Sequence, residues 1–163
     1  MRPPAILFAA ALAAACSPQT GAEAAPAAEA SPVAKGTHPV SGLEIIPLAV
    51  IADGERHEFA VEVARSAQEQ ARGLMFRTEL GPNEGMLFLR NPPDVASFWM
   101  KNTPLPLDII FVGRDGRILN IAARTVPYSL DSVTAVGLTG AVLEIPGGRA
   151  AELGIEPGDR VEW

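Results

Sequence analysis

The chain predicts a mainly β domain over residues 44–163, a compact β-sandwich or barrel with one or two short helices. Three observations predict it. Short apolar stretches recur between clusters of Gly, Pro, Asn and Asp, which is the spacing of strands joined by tight turns. Only one segment carries a full helix-start signature, and nothing alternates long helical patterns with strands as a parallel α/β fold would. A domain of about 120 residues buries roughly 65–70% of its unfolded surface, so it folds without disulfides or a structural metal.

The elements follow in order. Ile45 to Ile51 is apolar with Pro47 near its start, which places it at a sheet edge or a strand entrance. Asp53-Gly54 marks a turn, and Arg56 to Val63 alternates polar and apolar with the strand period of two, so the pair reads as a hairpin. Ser66-Ala67-Gln68-Glu69 is a capping box, and Gly73 stops the helix after about two turns. Further strands are expected at 85–89, 95–100, 107–112, 117–123, 140–145 and 159–163. Turns are expected at Asn91-Pro92-Pro93-Asp94, Asp115-Gly116, Pro146-Gly147-Gly148 and Glu156-Pro157-Gly158-Asp159, and a second helical piece at Arg149 to Leu153.

The first forty-odd residues differ in kind. Arg2 precedes 11 apolar residues, Ala5 to Ala15, a pattern that matches a secretory signal peptide and is shorter than the roughly 20 residues of a membrane span. Residues 1–15 are therefore read as a signal peptide. The chain's single cysteine, Cys16, stands at the end of that run, and Leu12-Ala13-Ala14-Ala15-Cys16 resembles a lipobox with alanine in place of the usual leucine three residues before the cysteine. Lipidation of Cys16 is expected, which would anchor the protein in the bacterial cell envelope facing the periplasm. Ser17 rather than aspartate follows, favouring the outer membrane of a Gram-negative cell. Residues 16–43, rich in Ala and Pro, are read as a tether that cannot offset the entropy of ordering.

Composition narrows the chemistry. No cysteine follows Cys16, so residues 44–163 hold no disulfide, thiol nucleophile or thiolate metal site. His57 is their one histidine, a poor base for a zinc site or a serine triad. The net charge is −6 with scattered basic residues, which argues against nucleic acid as a partner. No cofactor is expected.

Four motifs occur in order: Gly73-Leu74-Met75-Phe76-Arg77, Gly85-Met86-Leu87-Phe88, the string from Phe98-Trp99-Met100-Lys101-Asn102-Thr103-Pro104 to Asp108-Ile109, and Gly154-Ile155-Glu156-Pro157-Gly158-Asp159. Together they resemble the family called domain of unknown function 192, over about residues 45–163. The resemblance implies a jelly-roll-like β fold and no defined activity. Asp131 to Thr139 departs from it, being small and polar or aliphatic where the family often has an aromatic or basic residue.

The candidate ligand-binding residues are Arg77, Trp99, Lys101, Asn102, Asp108 and Glu144. Lys101 and Asn102 enter a loop stiffened by Pro104 and Pro106, beside Trp99, whose ring, like that of Tyr128, offers a flat face. Asp108 lies in the apolar run Leu107 to Val112 and needs a cation or several donors, with Lys101, Arg77 and backbone N–H groups of the proline loop as candidates. Glu144 sits likewise in Ala141 to Ile145, with exposure on a solvated strand face the favoured reading. The leading expectation is a non-enzymatic envelope module that binds a small polar ligand or an envelope protein partner. Two alternatives stand beside it: a glycan hydrolase using Asp108 with Glu144, and Cu(I) held by the thioethers of Met75, Met86 and Met100.

Overall fold

Alternation and apolar runs along the chain become ten strands and two short helices in the computed structural model, which describes residues 36–163. The signal peptide, Cys16 and most of the tether lie outside the described residues. The strands are β1 (Gly36–Thr37), β2 (Glu44–Ala52), β3 (Glu55–Ala64), β4 (Glu84–Asp94), β5 (Ser97–Phe98), β6 (Leu107–Gly113), β7 (Ile118–Ala122), β8 (Val133–Thr134), β9 (Thr139–Pro146) and β10 (Arg160–Glu162). The helices are α1 (Ala67–Arg72) and α2 (Arg149–Glu152). The fold is mainly β and sandwich- or barrel-like.

Eight strands form one sheet in the order β1-β2-β3-β4-β9-β6-β7, with β10 also paired to β2. All pairs are antiparallel except β3–β4, which α1 connects as a parallel crossover. β1 pairs with Glu44 and Ile45, and β10 with Ala49 to Ile51, on the same edge of β2. Pro47 falls in the gap between them, where its missing N–H leaves no ladder bond undone. At one end the sheet curls until its edges meet: Ile118 N–H donates to Asp159 O, and Val161 N–H to Gly116 O.

The core has two parts because β4, β9 and β6 are buried on both faces, as continuous apolar runs require. One face gathers Leu48, Phe59, Val61, Leu87, Ile110, Leu143 and Ile145 under α2. The other gathers Leu74, Met86, Phe88, Met100, Ile109, Phe111 and Val142 beneath α1 and the small β5–β8 sheet. Phe88, Phe98 and Phe111 stack edge-on across that second core, with ring centroids 5.0 and 6.2 Å apart.

Four expectations change. The strand expected at 95–100 is only Ser97–Phe98, because Met100 N–H turns away to Ser129 O. Its partner β8 lies in the 131–139 segment, where no strand was expected. The turn expected at Asn91 to Asp94 instead continues β4 to Asp94 with an irregular register, Arg90 gripping Asp94 at 2.9 and 2.5 Å. Residues 36–43, assigned to the tether, lie against the domain through β1 and through His38, whose ring nitrogens are both 3.2 Å from Arg77.

Candidate functional site

Three loops meet at the open edge of the second core. The first leaves α1, whose capping box is complete: Ser66 Oγ accepts from Glu69 N–H, and the Glu69 carboxylate accepts from Ser66 N–H. Gly73 ends that helix at φ 48°, ψ −137°, a conformation closed to side chains with a Cβ, and swings Leu74 into the core. Backbone bonds stitch the loops together. Phe76 N–H donates to Asn102 O (2.8 Å), Tyr128 N–H to Thr103 O (3.1 Å) and Met100 N–H to Ser129 O (3.0 Å). Phe76, Asn102 and Tyr128 all take left-handed φ, at 64°, 55° and 62°. Two bulky aromatics in that region cost free energy, and their rings stay exposed.

Between the loops and the sheet lies a pocket of about 260 Å³ lined by Leu74, Met75, Phe88, Phe98, Trp99 and Thr103, with Arg72 and Arg90 also on its wall. Glu144 lines it too, projecting from the middle of β9. Its ladder neighbours are Met86 on β4 and Ile109 on β6, both buried and neither able to donate. Every sealed side-chain N or O atom among the described residues has a partner, whereas nothing there hydrogen-bonds the Glu144 carboxyl, so its open side is the pocket. Burial alone pushes its pKa up to about 8, and neither guanidinium on the wall offsets that. At neutral pH the group is mostly a neutral acid able to donate a hydrogen bond.

The position of Glu144 depends on a close approach of backbone. A Cβ on Gly85 would sit 2.4 Å from the carbonyl oxygen of Glu144, so only glycine lets β4 and β9 come this near.

This geometry can be set beside known proteins. A family model described as DUF192, Uncharacterized ACR, matches residues 49–163. The chain belongs to the DUF192 family. Among solved structures, a protein of unknown function from Novosphingobium aromaticivorans DSM 12444 is 63% identical to this DUF192 chain, with a TM-score of 0.79 over 80% of this chain and 93% of that one. A proposed transcription regulator from Sinorhizobium meliloti 1021 is 36% identical, with a TM-score of 0.72 over 74% of this chain and 94% of that one. No curated protein matches.

The candidate residues of the DUF192 domain divide. Trp99 and Glu144 share the pocket. Lys101 lies beside them with its Nζ 5.1 Å from the centre of the Trp99 ring. Asn102 builds the loop junction, its carbonyl accepting from Phe76 and its amide reaching Met75 Sδ at 3.8 Å. Arg77 lies elsewhere, donating to both oxygens of buried Glu62 at 2.6 and 2.7 Å, with Ser41 on the same carboxylate.

Asp108 is a correction. Neither Lys101, Arg77 nor the proline loop holds it: Oδ1 accepts from Arg124 N–H (2.7 Å) and Gly148 N–H (2.8 Å), and Oδ2 from Ala150 N–H (2.9 Å). It is fully buried and engaged in tying β6 to the start of α2. The exposed reading of Glu144 is also overturned, since β9 is covered on both faces and Glu144 is 5% exposed. Asp108 faces the core with Ile110 and Ile145, Glu144 the core with Ile109 and Val142, so the two carboxyls lie on opposite faces and form no hydrolase pair. The copper reading finds Met86 and Met100 buried in the core, with Thr125 Oγ1 3.1 Å from Met100 Sδ.

Sequence reading missed Arg72, Leu74, Phe88 and Arg90 as pocket residues, because nothing local shows that α1 and β4 close on β9. The legible signals were Trp99 beside the proline loop and Glu144, a carboxyl inside an apolar run.

Proposed function

We propose that this domain is a small-molecule binding module of the bacterial envelope, exported by its signal peptide and anchored through Cys16. The observation that carries the reading is the Glu144 carboxyl, buried and unpartnered, opening into a pocket with aromatic walls. The protein leaves that carboxyl without a hydrogen-bond partner of its own, and a bound ligand can supply one. The proposed regulatory role of the Sinorhizobium protein is not carried over, since a chain of net charge −6 offers little to DNA phosphates.

Native mass spectrometry of the protein purified from its own envelope, before and after denaturation, tests the reading. The expected result is a retained small molecule that wild type carries and a Trp99→Ala, Glu144→Leu double variant of equal folded content does not. Equal retention by both, or a bare wild type whose Trp99 fluorescence responds to no compound of a small-molecule library, would overturn it.

A further inference from the structure

The charges around the pocket are not of one sign, and their arrangement narrows the ligand. Glu144 supplies a carboxyl at the floor with no partner among the described residues. Arg72, in the last turn of α1, is exposed and also lines the pocket, and no described side chain hydrogen-bonds or pairs with it. Arg90, the other cation on the wall, is engaged by Asp94 and Gln70. An uncommitted carboxyl and an uncommitted cation therefore belong to one pocket lining, with no ion pair between them.

We infer that the pocket binds a small zwitterion of the amino-acid type, its ammonium group against Glu144 and its acid group toward Arg72. The inference rests on the reading of the pocket as a binding site and names its ligand class. A simple anion would pair with Arg72 and hold Glu144 protonated, so it would bind without releasing a proton. A simple cation would leave Arg72 unpaired. A zwitterion satisfies both ends at once. The rings of Phe88, Phe98 and Trp99 suit an ammonium group, as the seat of Lys101 over Trp99 already illustrates. The size agrees: 260 Å³ is the room of roughly nine water molecules at about 30 Å³ each, enough for a free amino acid.

Binding carries a proton signature. At pH 7 Glu144 holds its proton, its pKa being pushed up to about 8 by burial, and an arriving ammonium group stabilises the carboxylate, so close to one proton passes to solvent for each molecule bound.

The test is titration calorimetry of the purified full-length chain with the common amino acids of both hands, each beside its amide and its N-acetyl derivative, in two buffers of different ionisation enthalpy. At least one amino acid should bind with release of close to one proton, and its amide and N-acetyl forms should bind about tenfold more weakly or worse. Glu144→Gln should abolish both proton release and the preference over the N-acetyl form. Arg72→Gln, an exposed change that leaves the core intact, should abolish only the preference over the amide. Binding of N-acetyl forms as tight as the free amines, binding without proton release, or no binding by any probe into the millimolar range would overturn the inference. A neutral molecule found in the pocket by native mass spectrometry would overturn it too, while leaving the binding-module reading in place.

Discussion

Asp108 and Glu144 stand on neighbouring strands one register step apart, Asp108 opposite Ile145 and Glu144 opposite Ile109, so the alternation of side chains sends them to different faces. Three backbone N–H groups converge on Asp108, and none reaches Glu144. Removing Asp108 strands three donors in a sealed interior. Asp108→Ala is expected to cost about 3–5 kcal/mol in urea unfolding while leaving ligand retention per folded molecule unchanged. Glu144 behaves in the opposite way. Its folded pKa of about 8 exceeds the ordinary 4.5, so between those values the folded state binds more protons than the unfolded one. Stability is then greatest below about pH 4.5 as far as this group is concerned, falls as pH rises, and levels off above about pH 8. Glu144→Gln is expected to flatten that slope and to exceed wild type by a few kcal/mol at pH 9, measured by urea unfolding from pH 5 to 9. Parallel curves for the two proteins would contradict the buried, unpaired state of the carboxyl.

At the scale of elements, α1 matters more than its six residues suggest, because it carries Arg72 and delivers Gly73 and Leu74 to the pocket wall. None of its residues is buried, so hydrogen bonds hold it in place rather than core packing: its capping box, and Gln70 Nε2 donating to Ala64 O and Leu89 O. Ser66→Ala is expected to lower global stability by about 1 kcal/mol. Hydrogen exchange should show the larger effect, with faster exchange of the Gln70 and Gly73 amides, which bond Ser66 O and Glu69 O. The opposite end of the domain depends on a different local device: Asp108 satisfies Gly148 and Ala150 N–H at the start of α2, where Gly148 offers no side-chain cap.

For the whole molecule, the described residues contain no helix long and apolar enough to cross a membrane. The proposed attachment rests on Cys16, which lies outside those residues. Each buried CH₂ of an acyl chain contributes about 0.8 kcal/mol, so two or more chains on one cysteine hold a protein stably at a bilayer. Metabolic labelling with a fatty-acid analogue is expected to mark the wild-type chain and leave Cys16→Ser unmarked and redistributed from the membrane fraction. An unlabelled wild type that begins downstream of Cys16 would remove the anchor while leaving the domain's own chemistry intact.

What the sequence determined by itself was whatever depends on near neighbours: the β2–β3 hairpin around Asp53-Gly54, the Ser66–Glu69 capping box, the Gly73 stop, and the strands β6, β7, β9 and β10 to within a residue or two. The motifs around Trp99 and Gly85 were enough to point to the family, and the unusual setting of Asp108 and Glu144 was visible as charge within apolar runs. The tertiary structure decided what those residues do. Strand period assigns side chains to alternate faces, but which face meets donors and which meets a cavity depends on elements far along the chain: the amides of Arg124, Gly148 and Ala150 for Asp108, and the loops after α1 and β5 for Glu144. Arg77 shows the same dependence, its partner Glu62 lying one strand away and His38 well before it. A buried charge must be answered by something, and only the folded chain determines whether the answer is its own backbone or an open pocket.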